Sequence, residues 1–178
     1  MRIIAGELKG RRLDPPAKSW PTRPTTDFAR EGLFNILQNR IDFEELNALD
    51  LFGGSGSHSF ELISRGCPTV TYVDNFKGCL EFVKTKTKEW KVEEHITIVA
   101  DDVLRFIRSG HQKYNYIFAG PPYPLRELGQ IPQLIFDNDL LEEHGLFILE
   151  HNFKYDFTGH PRFKEIRKYG STLFSFFG

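Results

Sequence analysis

The stretch Leu49-Asp50-Leu51-Phe52-Gly53-Gly54-Ser55-Gly56 decides the fold of this 178-residue chain. It starts as a short apolar strand, passes through three glycines and leads into a segment with helical spacing. Glycine allows the backbone to turn sharply and to approach a bound molecule closely. In open parallel sheets ligands bind at the carboxyl ends of the strands, so this turn is a candidate ligand loop. A tight turn with a purely structural role is the alternative.

The sequence around this turn repeats the order strand, turn, helix. Strands are predicted at 48–52, 70–73, 96–99, 116–119 and 146–150, with helices at 57–65, 76–90, 102–109 and over most of 127–143. A first helix begins at an N-cap on Thr26 or Asp27 and ends near Asn39. Two closing strands, 163–167 and 172–177, are joined near Tyr169-Gly170. This alternation predicts an α/β fold with a mainly parallel sheet and a closing antiparallel hairpin.

The N-terminal residues are expected to extend from this core. Residues 2–13 alternate in polarity and contain Gly6 and Gly10, which predicts a β-hairpin, and four prolines make 14–25 a loop. We therefore expect one domain over 1–178, with 1–25 as an appendage to a core over 26–178. Residues 1–40 hold eight basic and four acidic side chains, although the whole chain has a net charge of −1. A local basic patch can bind phosphates; a solvated basic surface is the alternative.

Composition is typical of a cytoplasmic globular protein. No apolar run is long enough to span a membrane, and the N-terminus lacks a signal-peptide pattern. Cys67 and Cys79 do not have the spacing of metal ligands, so we expect buried thiols and no metal site. None of the six histidines, His58 included, fits a metal or triad pattern. Core packing rather than base stacking is expected for the tail residues Phe174, Phe176 and Phe177.

Acidic residues lie within or shortly after three of the predicted strands. Asp74 comes 20 residues after Gly54 and could accept hydrogen bonds from both hydroxyls of a ribose. Asp50 precedes the glycines and suits a cofactor with a cationic centre and an amine, as S-adenosylmethionine has; the third glycine of a dinucleotide loop is missing. Asp102 could accept from an adenine amine, more readily than Asp101. The alternatives are a surface acid for Asp74 and a helix N-cap for Asp102.

The fourth strand runs into Gly120-Pro121-Pro122-Tyr123. Adjacent prolines fix φ and remove N–H donors, which predicts a stiff, extended turn with free carbonyl groups. Such a turn ending in tyrosine is a suitable floor for a flat substrate such as a nucleobase. A rigid loop with a packed tyrosine is the alternative. Amino-methylating enzymes with an Asp/Asn-Pro-Pro-Tyr motif have a side-chain acceptor where this chain has Gly120.

Further motifs run along the chain. They are Arg2-Ile3-Ile4-Ala5-Gly6, Gly10-Arg11-Arg12-Leu13, Arg23-Pro24-Thr25-Thr26-Asp27, Arg30-Glu31-Gly32-Leu33-Phe34-Asn35-Ile36-Leu37, Ser64-Arg65-Gly66 and Glu150-His151. Together with the glycine loop and the Pro-Pro-Tyr turn, they resemble the RsmD family of bacterial 16S rRNA (guanine-N2)-methyltransferases over essentially the whole chain.

The resemblance implies a class I Rossmann-like methyltransferase with a seven-stranded sheet and S-adenosylmethionine as donor. It implies methylation of a guanine N2 in 16S rRNA of the small ribosomal subunit or its assembly intermediate, by a monomer. The implied catalytic turn is Gly120, Pro121, Pro122 and Tyr123, with Tyr123 stacking on a base taken out of its helix. The implied cofactor residues are Arg23, Thr25, Asp50, Phe52, Gly53, Gly54, Ser55, Gly56, Asp74, Asn75, Asp102 and Val103. Arg2, Lys9, Arg11 and Arg12 would bind RNA phosphates.

Three residues depart from the family pattern. Gly53 replaces a usual alanine, a change expected to be sterically harmless, and His58 replaces an apolar residue. Gly120 removes the acceptor that would bind the target amine, so we expect a weakened enzyme. Two alternatives stay open: a non-catalytic RNA- or ribosome-binding protein, and a methyltransferase of other specificity, such as adenine N6 or a protein side chain. A nicotinamide dehydrogenase is disfavoured because no acid/base pair for hydride transfer is evident.

Overall fold

The computed structural model describes residues 1–16, 20–21, 24–110 and 112–178. Within these ranges the chain forms one seven-stranded sheet flanked by helices. The strands are β1 (Asn47–Leu51), β2 (Thr69–Asp74), β3 (Ile96–Ala100), β4 (Tyr114–Ala119), β5 (Leu141–His151), β6 (Phe163–Tyr169) and β7 (Thr172–Phe177). The helices are α1 (Asp27–Leu37), α2 (Ser57–Ser64), α3 (Lys77–Trp90), α4 (Val103–Ser109) and α5 (Ile131–Asp137).

The sheet has the strand order β3-β2-β1-β4-β5-β7-β6. Strands β1 to β5 are parallel to one another, whereas β7 pairs antiparallel with both β5 and β6. The predicted mainly parallel sheet with a closing hairpin is therefore confirmed. The order reverses between β1 and β4, so the loops after these two strands border the crevice in which such sheets bind ligands.

Apolar side chains fill a core on each face of the sheet. One core contains Leu33 of α1, Phe60 of α2 and Val83 of α3. The other contains Ile107 of α4 and Ile135 of α5. The tail residues Phe174, Phe176 and Phe177 are buried, and so are Cys67 and Cys79, as the sequence predicts. No helix in the described part of the chain is long and apolar enough to cross a membrane.

One predicted helical segment ends several residues earlier than expected. Residues 127–143 were expected to be mostly helical, but α5 ends at Asp137 and β5 begins at Leu141. The amide of Asn138 donates to the carbonyl of Leu134, and Asp139 has φ of 53°, which ends the helical path. Leu141 then pairs with Tyr114 at the start of β4. Cross-strand pairing, which a local pattern does not reveal, extends this strand.

The N-terminal residues pack on α1 and α2. A bridge between Arg2 and Arg12 closes the predicted hairpin, and Ile3 and Leu13 are buried in the first core. The backbone N–H of Ile4 donates to the Glu61 carboxylate at 2.8 Å, and the buried Arg30 pairs with the same carboxylate at 3.3 Å. A buried acid thus receives both a cation and backbone donors, which compensates for its desolvation. The expected boundary at residue 25 stays a prediction.

Candidate active site

A cleft of about 230 Å³ opens at the carboxyl ends of β1, β2 and β4. Ten of the sequence-predicted site residues line it: Thr25, Asp50, Phe52, Gly53, Gly54, Ser55, Asp74, Asn75, Gly120 and Pro122. The glycine loop after β1 and the Gly-Pro-Pro turn after β4 therefore border the same space, although 66 residues separate Gly54 from Gly120. The parallel order of the strands brings these two loops together.

The glycine loop follows a left-handed path. Phe52, Gly54 and Gly56 have φ values of 59°, 54° and 76°. Glycine adopts such values readily, whereas a residue with a Cβ, such as Phe52, is strained by them. Gly56 does not line the cleft; a Cβ there would lie 2.9 Å from the ring of Phe60, so this glycine permits the close approach of loop and helix.

Gly53 is not interchangeable with alanine in this chain. A Cβ at Gly53 would lie 2.2 Å from Cε2 of Tyr72, which is far inside van der Waals contact. The expectation of a sterically harmless change is therefore wrong, because the Tyr72 ring on β2 occupies the space that the methyl group of alanine needs. The Tyr72 hydroxyl also donates to the Gly54 carbonyl at 2.6 Å, so the same side chain both packs against the glycine loop and hydrogen-bonds to it.

Asp50 is a buried acid at the end of β1, with a relative exposure of 1%. Its Oδ2 accepts a hydrogen bond of 2.5 Å from the hydroxyl of Ser59 on α2. Burial raises the pKa of Asp50 from 3.8 to about 7, and the nearby charge of Asp74 adds to the effect. A bound cationic group would favour the ionised form and lower this pKa again.

Asp74 holds the glycine loop through its side chain. Its Oδ2 accepts from the N–H of Gly54 at 2.9 Å, and its Oδ1 accepts from the N–H of Phe76 at 2.8 Å. Each carboxylate oxygen has a second lone-pair direction, so hydroxyl donors can still bind there. Because Asp74 also lines the cleft, one residue both shapes the loop and presents an acceptor to a ligand.

The walls of the cleft are aromatic. Trp20 packs edge-on against Phe76, with ring centroids 6.0 Å apart, and both residues line the cleft. On the opposite side Phe118 stacks on His58 at 3.8 Å. His58 Nε2 lies 2.9 Å from the Tyr116 hydroxyl, and burial lowers the pKa of His58 well below its ordinary value, so the ring is neutral. Sequence reasoning missed Trp20, Phe76 and Phe118 as lining residues.

Two buried carboxylates and aromatic walls fit the expected cofactor. Asp50 can face a cationic amine, and Asp74 can accept from vicinal hydroxyls. The flat apolar walls suit a heteroaromatic ring. S-adenosylmethionine carries all three groups, so the donor set of this cleft matches it.

Several predicted site residues lie outside the cleft lining. Asp102 is exposed and N-caps α4 by accepting from the N–H of Arg105 at 2.9 Å, and Val103 is buried in the second core. Pro121 is buried, and Tyr123 is half-buried. Arg23 lies outside the described residues. The basic residues Arg2, Lys9, Arg11 and Arg12 are all exposed.

Glu150 lies beside the Gly-Pro-Pro turn. It is the penultimate residue of β5, which pairs with β4, and it is 6% exposed. Its carboxylate accepts from the Tyr123 hydroxyl at 3.2 Å and from the Thr25 hydroxyl through a short hydrogen bond. The sequence places Glu150 in a motif but assigns it no role, because its proximity to Gly120 follows from strand pairing.

Comparisons with known proteins agree with this geometry. The family model described as "Conserved hypothetical protein 95" matches residues 1–178. Ribosomal RNA small subunit methyltransferase D of Haemophilus influenzae is 32% identical over 84% of this chain and 78% of its own length. The chain belongs to the RsmD family. YlbH of Bacillus subtilis, named as a candidate rRNA methyltransferase, is 34% identical over 85% of this chain and 83% of its own length.

A solved structure of this RsmD-family fold gives the same architecture. The protein yhhF of Escherichia coli, described as a candidate methyltransferase, superposes with a TM-score of 0.84. It is 25% identical, and the match covers 99% of this chain and 96% of that one. The fold is thus that of a Rossmann-like methyltransferase, as the sequence predicts.

Proposed function

We propose that this RsmD-family chain is an S-adenosylmethionine-dependent rRNA methyltransferase that modifies the exocyclic N2 of a guanine in 16S rRNA. The observation that carries the proposal is one cleft shared by two loops. Asp50 and Asp74 provide carboxylates on one side, and the turn at Gly120-Pro122 borders the other side. Membership in the RsmD family supports the reaction class, and the names of the relatives support small-subunit rRNA as the substrate.

When bound, S-adenosylmethionine supplies a methyl group on a positively charged sulfur. The ionised Asp50 would bind the amino group of the methionine part, and Asp74 would accept from the ribose hydroxyls. The backbone N–H groups and carbonyls of Gly53, Gly54 and Ser55 would contact the cofactor. Asp102 and Val103, at the start of α4 beside the end of β3, would bind the adenine. Thr25 lines the cleft and would contact the cofactor, and so would Arg23, which lies outside the described residues.

The target base would enter beside the turn after β4. The prolines keep this turn rigid, which would hold the reacting nitrogen in line with the methyl group. A base must leave its stack to reach such a site, and Tyr123 would stack on it. The exposed side chains of Arg2, Lys9, Arg11 and Arg12 would hold the phosphates of the RNA.

The amine of guanine is a poor nucleophile because its lone pair is delocalised into the ring. A hydrogen-bond acceptor that pulls on the amine proton would offset this. Judged from position 120 alone, glycine predicts weakened turnover, on the order of 100-fold by analogy with the removal of an oxyanion-hole donor. That expectation assumes that no neighbouring residue provides the acceptor. We further propose that the chain acts in the cytoplasm as a monomer on the small subunit or its assembly intermediate.

A second candidate is a non-catalytic rRNA-binding protein with the same fold. The glycine at position 120 favours it, because a binding protein does not need the acceptor. Both candidates predict binding of S-adenosylmethionine and RNA, and only the enzyme transfers the methyl group.

The test is methyl transfer in vitro. Purified protein is incubated with radiolabelled S-adenosylmethionine and small subunits that lack the modification, and nucleosides are then separated by mass spectrometry. We expect label in N2-methylguanosine of 16S rRNA. Label in N6-methyladenosine would contradict the proposed base, and cofactor and RNA binding without transfer would support the non-catalytic alternative.

A further inference from the structure

We propose that Glu150 is the catalytic acceptor for the target amine, in place of a side chain at position 120. The inference rests on the proposed function. A methyltransferase with glycine at the start of its Pro-Pro-Tyr turn still needs a group that binds the amine. The described residues around Gly120 include one carboxylate in position to do so, that of Glu150.

Strand pairing brings Glu150 to this place. Ala119 of β4 pairs with Leu149 of β5, and the next residues along these parallel strands are Gly120 and Glu150. A Cβ at Gly120 would lie 3.8 Å from Oε2 of Glu150. The Glu150 carboxylate thus lies within van der Waals contact of the first side-chain atom that any other residue at position 120 would have.

Residues of the candidate site hold this carboxylate in place. Thr25, which lines the cleft, donates its hydroxyl to Oε2, and Tyr123 donates its hydroxyl to Oε1 at 3.2 Å. Thr25 precedes α1 and Tyr123 follows β4, so Glu150 joins two segments from which Thr25 and Pro122 line the cleft. Hydrogen bonds to both oxygens fix the orientation of the carboxylate, and a carboxylate oxygen can accept more than one hydrogen bond.

The geometry also explains why glycine is compatible with position 120. An aspartate there would put a second carboxylate beside that of Glu150 in a largely buried corner, where like charges raise the free energy. A Cβ would also lie 3.2 Å from Cε1 of Phe118, a tight contact. Gly120 and Glu150 are therefore complementary: one leaves the space, and the other provides the charge.

The reaction step balances with Glu150 as acceptor. The lone pair of the guanine nitrogen forms the new N–C bond while the S–C bond breaks and its electron pair stays on sulfur. The nitrogen then loses one proton, which passes to the Glu150 carboxylate and from there to water. Before transfer, the same carboxylate accepts a hydrogen bond from the amine, so negative charge lies where positive charge develops.

The test compares four proteins in the same transfer assay: wild type, Glu150→Gln, Gly120→Asp and the double variant. Glu143→Gln is the matched control, because Glu143 is an exposed acid on the same strand, far from the cleft. Thermal unfolding and the Kd for S-adenosylmethionine are measured for each. We expect Glu150→Gln to lower kcat on the order of 100-fold, with much smaller changes in KM and Kd.

Relocating the carboxylate separates a catalytic role from a structural one. We expect Gly120→Asp alone to give no gain in kcat. In the Glu150→Gln background, the same change should restore at least about 10-fold of the lost kcat. A structural defect at Glu150 would not be repaired from position 120, so this recovery would indicate a catalytic role. A Glu150→Gln variant with wild-type kcat would overturn the inference. So would a folded Glu150→Gln variant that the second change does not improve.

The proposed function and this inference fail in different ways. If Glu150→Gln does not fold, the Gly120→Asp variant provides the test. A large gain in kcat over wild type would mean that the wild-type site lacks an acceptor, and this result would overturn the inference. No gain in kcat would support the inference. Transfer by wild type that persists in Glu150→Gln contradicts this inference alone. Absence of transfer by wild type contradicts the proposed function and therefore also the role given to Glu150.

Discussion

The Tyr72 hydroxyl donates a 2.6 Å hydrogen bond to the carbonyl oxygen of Gly54, and the same ring fills the space beside Gly53. The central strand pair β1 and β2 therefore supports the ligand loop through one aromatic side chain. A methyl group at position 53 and the ring at position 72 compete for the same volume. We expect Gly53→Ala to destabilise the fold by about 1–3 kcal/mol, the usual cost of overpacking.

The control for this crowding is Gly54→Ala. Gly54 has open space around a Cβ but a φ of 54°, so alanine there adds backbone strain without a clash. Urea unfolding of a double-mutant cycle separates the two effects: Tyr72→Leu should offset most of the loss in Gly53→Ala and little of that in Gly54→Ala. Equal midpoints for wild type and Gly53→Ala would refute the clash.

The raised pKa of Asp50 predicts a pH-dependent gain in stability for Asp50→Asn. The folded-state pKa of about 7 exceeds the ordinary value of 3.8, so the fold binds this proton more tightly than the unfolded chain does. The stabilisation is complete below about pH 4 and is lost as pH rises through 7. Asp50→Asn should match wild type near pH 4 and unfold about 5 °C or more higher at pH 8, by differential scanning calorimetry.

The same substitution should weaken binding of S-adenosylmethionine, because the amide cannot pair with a cationic amine. Binding of the cation should also release a proton from wild type near pH 6.5 and none from Asp50→Asn at this site. Titration calorimetry in two buffers of different ionisation enthalpy measures that proton. Identical proton release from both proteins would show that Asp50 does not face the positive charge.

Asp74 and Asp102 provide a matched pair for the cofactor contacts. Asp74→Asn should lower the affinity for S-adenosylmethionine about 10- to 100-fold, since it loses a charged acceptor and one backbone partner at Gly54 or Phe76. Asp102→Asn keeps the N-cap of α4, because asparagine caps as well as aspartate does. A smaller, several-fold loss of affinity would then report the predicted adenine contact without a change in helix stability. Full affinity in Asp102→Asn would remove Asp102 from the cofactor site.

The exposed N-terminal arginines should contribute salt-dependent RNA affinity. Arg11→Ala with Arg12→Ala should lower the slope of log affinity against log salt by about 1 to 2, because each phosphate contact releases roughly 0.7–0.9 counterions. Arg105→Ala with Arg108→Ala on α4 is the control, since α4 lies on the other face of the sheet from the N-terminal residues. An equal change in both pairs, by filter binding, would argue for nonspecific attraction.

The periodic parts of the sequence predict the fold well, and the aperiodic parts do not. Strands β1 to β4 are short apolar runs bounded by glycine, proline or acidic residues, and their order fixes the position of the glycine loop and of Asp74. The end of α5 is different, because it depends on a positive φ at Asp139 and on the pairing of Leu141 with Tyr114. Neither feature leaves a local pattern in the sequence.

The sequence also does not predict which side chains from different segments contact one another. Trp20 lies in a proline-rich loop without periodicity, so its place in the cleft wall has no sequence signal. The clash between Gly53 and Tyr72 and the proximity of Gly120 and Glu150 both require the register of neighbouring strands. The sequence therefore predicts which residue types serve the chemistry, whereas strand register determines which of them meet.

The activity proposed for this chain is methylation of N2 of a guanine in 16S rRNA. The most direct test is mass-spectrometric mapping of modified nucleosides in 16S rRNA from cells with the protein, without it, and complemented with it. We expect one N2-methylguanosine to disappear when the protein is absent and to return on complementation. An unchanged set of modified nucleosides in 16S rRNA would contradict the claim.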